Sequence, residues 1–497
     1  MTLLLTLLFS ISAFGETLKM NLPIQPVTLD WTGGVNVSYA PLVVNLCEGL
    51  FSFDQKTSKL SPAIAVSVQK SKDLKEYTFK INETAKWSDG RPIYAKDFVD
   101  GWQRILSPQT TSIYYYYLFD IENAREYHEK KIKSFDEVGI HAVNDRTLVV
   151  RFKSAQTEWE ATTAFWPLFP IRKDLIEKFG NNWWVAGTLV SSGPFILSSQ
   201  ETGKKAILKR NPYYKKTSSN VDMIEIDFNS NQEVTMEKFK KKEYPFLTDI
   251  NIEKAIKEKE FKPIPLLRHY VIALNTNRFP FNNPNFRLAI LSSINPKEIL
   301  PKDSKQFSLA NAMIPPALFS TKEETAVSFD PVKANEYLKK SGVILNKSVK
   351  IEFLSGIAEP FASISKKIAE QIEKNINVPV KLLIMSTKEF ETYSNLGEYS
   401  MMMISWTAKA RTAKDFLLPY SGYYSSNNRA KHTNEEYDQA IINNDLGKAQ
   451  KIISKQTGVI QPLFFEKSGY LSHKTIKNLQ FDHIGLPILK DVVLLKK

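Results

Sequence analysis

The stretch KEYTFKINETAKWSDG, residues 75–90, alternates Tyr77, Phe79 and Ile81 with polar neighbours. A period of two predicts a half-buried strand, and Ser88-Asp89-Gly90 ends it in a turn. AKDFVDGWQRIL, 95–106, then places Phe98, Trp102 and Ile105 at helical spacing. DRTLVVRF (145–152) and AILKRNPYY (206–214) read as strands, the second closed by Asn211-Pro212. HYVIALNTN (269–277) reads as a strand and NPNFRLAILSSIN (283–295) as a helix.

From residue 349 the period switches repeatedly: VKIEFLSG, FASISKKIAEQIEKNI, VPVKLLIM, STKEFETYSNLG and YSMMMISW read strand, helix, strand, helix, strand. Such alternation predicts an α/β domain with a largely parallel sheet. A length of 497 residues suits two or three domains. There is no internal repeat or low-complexity linker, and Pro and Gly are spread throughout, so the domains are expected to be discontinuous.

The first residues add an expectation about destination. An apolar run over 3–11 is broken only by Thr6 and Ser10, and Ala13-Phe14-Gly15 fits a small-x-small cleavage pattern. The run is shorter than the ~20 residues a membrane span needs. A cleaved signal peptide over 1–15 and export follow, although no Lys or Arg precedes the run. Cys47 is the single cysteine, so neither a disulfide nor a lipid-carrying first residue is expected. An exported chain of this size without disulfides fits the bacterial periplasm.

The formal charge of +13, from 66 Lys and Arg against 53 Asp and Glu, raises the question of nucleic acid. The lysines, however, occur in mixed-sign clusters such as KEKEFK and EKFKKKEY, the pattern of solvated helix faces. No nucleic-acid partner is expected. The six histidines show no metal-ligand spacing, and the G-x-S-x-G, G-x-x-x-x-G-K-[ST] and G-x-G-x-x-G patterns are missing. SSGPF reads as a turn between strands. No catalytic residue, metal or cofactor is expected. Aromatic residues are plentiful, with 20 Tyr, 30 Phe and 8 Trp. Four consecutive tyrosines at 114–117 must face several directions, and one of them aimed into a cleft suits the apolar wall of a small-ligand site.

The run NLCEGLFSFD…LSPAIAVSVQKSKDLKEYTFKINETAKWSDGRPIYAKDFVDGWQRILSPQTTSIYYYYL resembles the N-terminal part of the family-5 extracellular solute-binding proteins, the oligopeptide-binding proteins of bacterial ABC importers. VSSGPFIL…AILKRNPYY, LNTNRFPFNNPNFRLAILSSINPKEI, FDPVKANEYLKKSG, NEEYDQAI and GLPILKDVVL resemble later landmarks of the same family, so the likeness spans roughly residues 30–497. It implies an α/β clamshell of the periplasmic-binding-protein kind. It would have two ligand-closing lobes, discontinuous domains I and III, and an extra α+β domain II. Domain I would comprise 16–46, 187–268 and 482–497, domain II 47–186 and domain III 269–481. The resemblance further implies that Trp87 and Trp102 pack and that Asp89-Gly90 makes the turn, so the KWSDG unit is scaffold.

In the family an extended peptide lies between the lobes, bonded through its backbone like an added strand. Carried over by position, Val37 would pair with peptide backbone, Tyr114 would be a cleft tyrosine, and Ser405, Trp406 and Thr407 would form the strand end lining the ligand's N-terminal half. The departures are informative. The family's GW-x-AD-Y, whose Asp fixes the ligand's α-ammonium, reads SWTAKARTAKDF here, with Lys409 in the acid's place. A buried Lys facing an ammonium costs several kcal/mol. Its P-V-Y-Y-Y reads PLFFE, with Glu466 where a cleft tyrosine often stands.

Two readings follow. In one, the ligand lacks a free ammonium or offers an anion to Lys409 and Arg411: a blocked or cell-wall-derived peptide, or another anionic solute. In the other, Glu466 or Asp415 takes the amine; Glu466 could equally pair with Lys409. The function expected is that of a monomeric periplasmic binding component feeding an ABC permease in the inner membrane. A sensory or scavenging binding protein is the alternative, with a periplasmic hydrolase on the same scaffold behind it.

Overall fold

The alternation at 75–81 becomes the strand Glu76–Ile81, with Tyr77, Phe79 and Ile81 turned inward. It lies inside an antiparallel four-stranded sheet ordered Ala65–Lys70, Glu76–Ile81, Thr147–Arg151, Ile140–Asn144. The helix Ala95–Leu106 packs on this sheet through Phe98, Trp102 and Ile105, all fully buried. One carboxylate holds strand, turn and helix together. Asp97 accepts from Trp87 Nε1 at 3.0 Å, from both terminal nitrogens of Arg91 at 2.9 Å and from the Tyr94 amide at 2.9 Å. Gly90 takes φ +90° in the turn, a conformation that favours glycine. The KWSDG unit is thus scaffold, with Trp87 and Trp102 inside the core.

The computed structural model describes residues 15–34, 40–54, 59–110, 112–215, 217–300, 306–319, 325–344, 351–357, 359, 361–424 and 428–495. The expected signal peptide, up to residue 14, and Val37 lie outside the described residues.

A second four-stranded sheet draws on distant segments. Glu16–Leu22 pairs in parallel with Val221–Phe228, followed by Lys205–Arg210 and Phe195–Glu201 in antiparallel order. The C-terminal segment returns to this unit. Asn220 exchanges two hydrogen bonds with the Leu494 backbone, at 2.8 and 2.9 Å. Asn45 donates to Pro487 O at 2.8 Å and accepts from the Leu489 amide at 2.8 Å.

The third sheet has seven strands: Phe246–Leu247, Ile460–Ser472, Phe261–Leu274, Met401–Thr407, Ile351–Gly356 and Val380–Met385 in order, with Phe307–Leu309 also on Ile460–Ser472. Ile351–Gly356 is parallel to Val380–Met385 and to Met401–Thr407. The helices Phe361–Ile376 and Thr387–Leu396 make the crossovers. The predicted alternation is therefore present, but the sheet is mixed: its remaining pairings, around Phe261–Leu274 and Ile460–Ser472, are antiparallel. Phe261–Leu274 is one strand, and its register against Ile460–Ser472 shifts between Pro265 and His269. The helix Pro284–Ser292 starts as its sequence demands, with Pro at the first turn and Asn283 Oδ1 accepting from the Asn285 and Phe286 amides. Together the sheets form an α/β clamshell with an added α+β unit built on the sheet of residues 65–151.

Candidate functional site

Two parts of the chain meet face to face, residues 112–160 on one side and 404–446 on the other. Tyr117 donates its hydroxyl to Asp415 Oδ1 at 2.7 Å. Lys414 reaches both oxygens of Asp120 at 2.7 Å, and Tyr424 donates to the same carboxylate at 2.6 Å. Ser154 donates to Ile442 O at 2.9 Å.

Beside this seam lies a cavity of about 480 Å³, walled by 112–116 on one side and by residues between 270 and 429 on the other. Its walls are largely aromatic, including Tyr114, Tyr270, Phe361 and Trp406, and its charged residues are Lys409, Arg429 and Glu391. The four tyrosines divide as their number requires. Tyr114, Tyr115 and Tyr116 line the cavity, while Tyr117 turns its hydroxyl to Asp415. Tyr114 packs edge-on against Phe165 with ring centres 5.4 Å apart.

The strand Met401–Thr407 supplies an opposite wall through Met403, Ile404, Ser405 and Trp406. One edge is fully paired to Phe261–Leu274. On its other edge Ile351–Gly356 pairs only with Met401 and Met402. Among the described residues, no strand pairs with that edge over 403–407. Backbone donors and acceptors beside an aromatic cavity are what an extended ligand needs to add itself as a strand.

Lys409 follows this strand. Its Nζ stands 5.1 Å from the Trp406 ring centre and 5.7 Å from that of Tyr114, so two aromatic faces take the place of a counter-ion. Desolvation lowers its pKa, and the nearby Asp415 opposes that shift. Asp415 itself is turned into the loop. It accepts from the amides of Lys409 and Ala410, the latter at 2.8 Å, as well as from Tyr117, and burial raises its pKa. Its role is to fix the backbone that carries Lys409, and its lone pairs are committed there.

Glu466 is likewise committed. It pairs with Arg268 at 2.9 Å and accepts from Tyr270 Oη at 2.7 Å and Gln306 Nε2 at 3.0 Å. It lies behind the cavity wall, with Tyr270 between, and its ion-pair partner is Arg268 instead of the Lys409 considered from sequence. Thr407 accepts from Arg268 Nε at 2.7 Å and is not among the cavity residues. Arg411, at φ +52°, lies 4.8 Å over the Phe53 ring, outside the cavity. Of the sequence-derived residues, the structure gathers Tyr114, Ser405, Trp406 and Lys409 into one cavity and sends Thr407, Arg411 and Glu466 elsewhere.

Sequence reasoning missed Tyr270, Phe361 and Arg429. Tyr270 was readable as an alternating strand position. Arg429 sits in the polar stretch NNRAKHT, which has no period to betray it. Among the described residues, no group of three or more His, Cys, Asp and Glu could hold a metal, and no helix is long and apolar enough to cross a membrane.

Comparison with known proteins agrees with this geometry. The sequence profile described as bacterial extracellular solute-binding proteins, family 5 Middle, matches residues 59–428. The periplasmic murein peptide-binding protein MppA of Escherichia coli is 25% identical over 91% of this chain and 88% of its own. The structure of that murein tripeptide binding protein superposes with a TM-score of 0.82 at 22% identity, covering 98% of this chain and 99% of the other. The oligopeptide-binding protein OppA of Bacillus subtilis is 26% identical over 93% of this chain and 90% of its own. A relative named probable deoxycholate-binding periplasmic protein YgiS, from Escherichia coli, is 25% identical over 91% and 88%. The chain belongs to the family-5 bacterial extracellular solute-binding proteins.

Proposed function

We propose that this protein binds peptides in the cavity between residues 112–116 and the 403–429 region and hands them to an ABC permease of the inner membrane. The observation that carries this reading is the strand edge over 403–407, without a strand partner among the described residues, beside an aromatic cavity. Main-chain bonds to that edge are available to any peptide, whatever its side chains, while the aromatic walls accept varied side chains. Relatives named for murein peptides and oligopeptides support the same ligand class.

Export by a cleaved signal peptide, a periplasmic location, a monomeric state and the division into domains I to III belong to the same proposal. Val37 would add a second line of backbone contact. The protein acts as a binder and not as a hydrolase, so a bound peptide is returned intact.

Native mass spectrometry of the purified mature protein, followed by denaturation, tests the reading. A ladder of released peptide masses is the expected result. A single non-peptide mass would favour the second reading, an anionic solute bound for sensing or scavenging. That reading draws on Lys409 in the cavity and on the relative named for deoxycholate. Incubation with a bound peptide should release no fragments; fragments would point to a hydrolase.

A further inference from the structure

We propose that this cavity receives a carboxylate, held by Lys409 and Arg429, so that the ligand is anionic where it meets the 406–429 wall. The inference rests on the reading that the cavity is the ligand site. Its ionisable lining, tyrosines aside, consists of Lys409, Arg429 and Glu391. No carboxylate lies within 4.0 Å of Lys409 Nζ or of the Arg429 guanidinium among the described residues, and Glu391 is exposed. Asp415, the acid whose charge acts on Lys409, is already engaged by two backbone amides and Tyr117, while Glu391 acts on Arg429 from the exposed rim.

Arg429 Nη1 and Trp406 Nε1, on two of the lining residues, have no hydrogen-bond partner among the described residues, although neither atom presents accessible surface to the cavity. Buried donors of this kind are normally satisfied, and each unsatisfied one calls for an explanation. A guanidinium, an ammonium and an indole N–H donate and never accept. An incoming ammonium would meet two cations, with the exposed Glu391 the one carboxylate in the lining. An incoming carboxylate would meet donors with aromatic faces around its organic body, where desolvation strengthens a charge-assisted bond. Two ligand sources share this chemistry: a peptide bearing a carboxylate at that end, and an apolar carboxylic acid of non-peptide origin.

The test is isothermal titration of the full mature protein with four probes: Ala-Phe-Leu-Ala with a free amino terminus, its N-acetyl form, its N-succinyl form, and deoxycholate. The N-succinyl peptide should bind about tenfold or more tighter than the free-amine form, and added NaCl should erode that gain. R429Q should shrink the gain, and K409D should reverse the order of the succinyl and free-amine forms. A free-amine peptide that binds as tightly as the succinyl form, or a gain insensitive to both salt and substitution, overturns the inference while leaving the peptide reading intact. Deoxycholate binding that weakens in R429Q, with no peptide binding, overturns the peptide reading and keeps the carboxylate site. Binding of neither the succinyl peptide nor deoxycholate overturns the carboxylate site. Salt dependence is read on the unaltered chain, so the test survives a variant that does not fold.

Discussion

Tyr117 and Asp415 stand 298 positions apart in sequence, yet the tyrosine hydroxyl meets the buried carboxylate at 2.7 Å across the seam between the two halves. The same carboxylate accepts the backbone amides of Lys409 and Ala410. One side chain therefore ties the posture of the lysine loop to the contact between the halves. Closing the seam and presenting Lys409 to the cavity are coupled.

Removing that hydroxyl should loosen closure before it harms either half. A bond to a charged, buried acceptor is worth about 1.5–3 kcal/mol. Tyr117→Phe should weaken ligand affinity by about tenfold or more and enlarge the ligand-free radius of gyration. Titration calorimetry and small-angle scattering read the two effects. Unchanged affinity would mean that the contact does not hold the halves together.

Acid should destabilise the fold through three buried histidines. Burial lowers the pKa of His269 and of His432 to about 4 and that of His483 to about 3, against 6.5 when unfolded. The unfolded chain thus binds protons in this window and the folded chain does not, so stability falls as pH drops from 6.5 towards 4. Each histidine contributes up to about 1.4 kcal/mol per pH unit. Asp482, raised to about 7 by burial, and Asp415 and Asp438, also raised by burial, work in the opposite direction. In urea unfolding measured across this range, His269→Gln should lose less stability towards acid than the unaltered chain.

Asp97 is a vulnerable point of the scaffold unit. Asp97 is 3% exposed and bonds Trp87, Arg91 and the Tyr94 amide. Asp97→Ala would strand the buried Trp87 N–H and the Arg91 charge, lowering unfolding free energy by about 3 kcal/mol. Asp97→Asn should recover part of this because it can still accept one bond. Denaturant midpoints of the two variants decide the matter.

Glu466 separates stability from ligand choice. Its bonds to Arg268, Tyr270 and Gln306 make Glu466→Gln costly by about 2 kcal/mol or more. The ratio of affinities for free and N-acetylated peptide should stay as it was. A change in that ratio without a fall in stability would return Glu466 to the role of ligand anchor.

Trp406 should report occupancy. Its ring lies 5.1 Å from Lys409 Nζ on the cavity wall. Ligand binding should shift tryptophan emission, and Trp406→Phe should remove most of that shift.

Much of the architecture was legible because it is local. The strand-turn-helix unit of 75–106 and the alternation from 349 to 406 carry their periods within short windows. The antiparallel part of the third sheet was hidden because its pairing partners are far apart in sequence. Pro263 and Pro265 also argue against a strand. They are tolerated because over 261–265 the strand Phe261–Leu274 pairs with Ile460–Ser472 and, among the described residues, has no strand partner on its other edge. In the site, Lys409 stood out as a charge in an unexpected place, and Tyr114 and Trp406 as aromatics in recognisable segments. The diversion of Glu466 to Arg268 depends on strands that are neighbours only in the folded sheet. Arg411 lies over the Phe53 ring on a backbone of positive φ, which no pattern in the sequence signals.

The clasping of the C-terminal segment by Asn45 and Asn220 sets a timetable for a chain that emerges from its N-terminus. The sheet built from residues 65–151 can close as soon as that stretch is free. Glu16–Leu22 must wait for Val221–Phe228, and Asn45 waits for Pro487, 442 positions later. The unit that begins first is completed last. A chain halted shortly before residue 487 would carry a finished middle and an unclasped first lobe, the state in which chaperones and proteases would meet it.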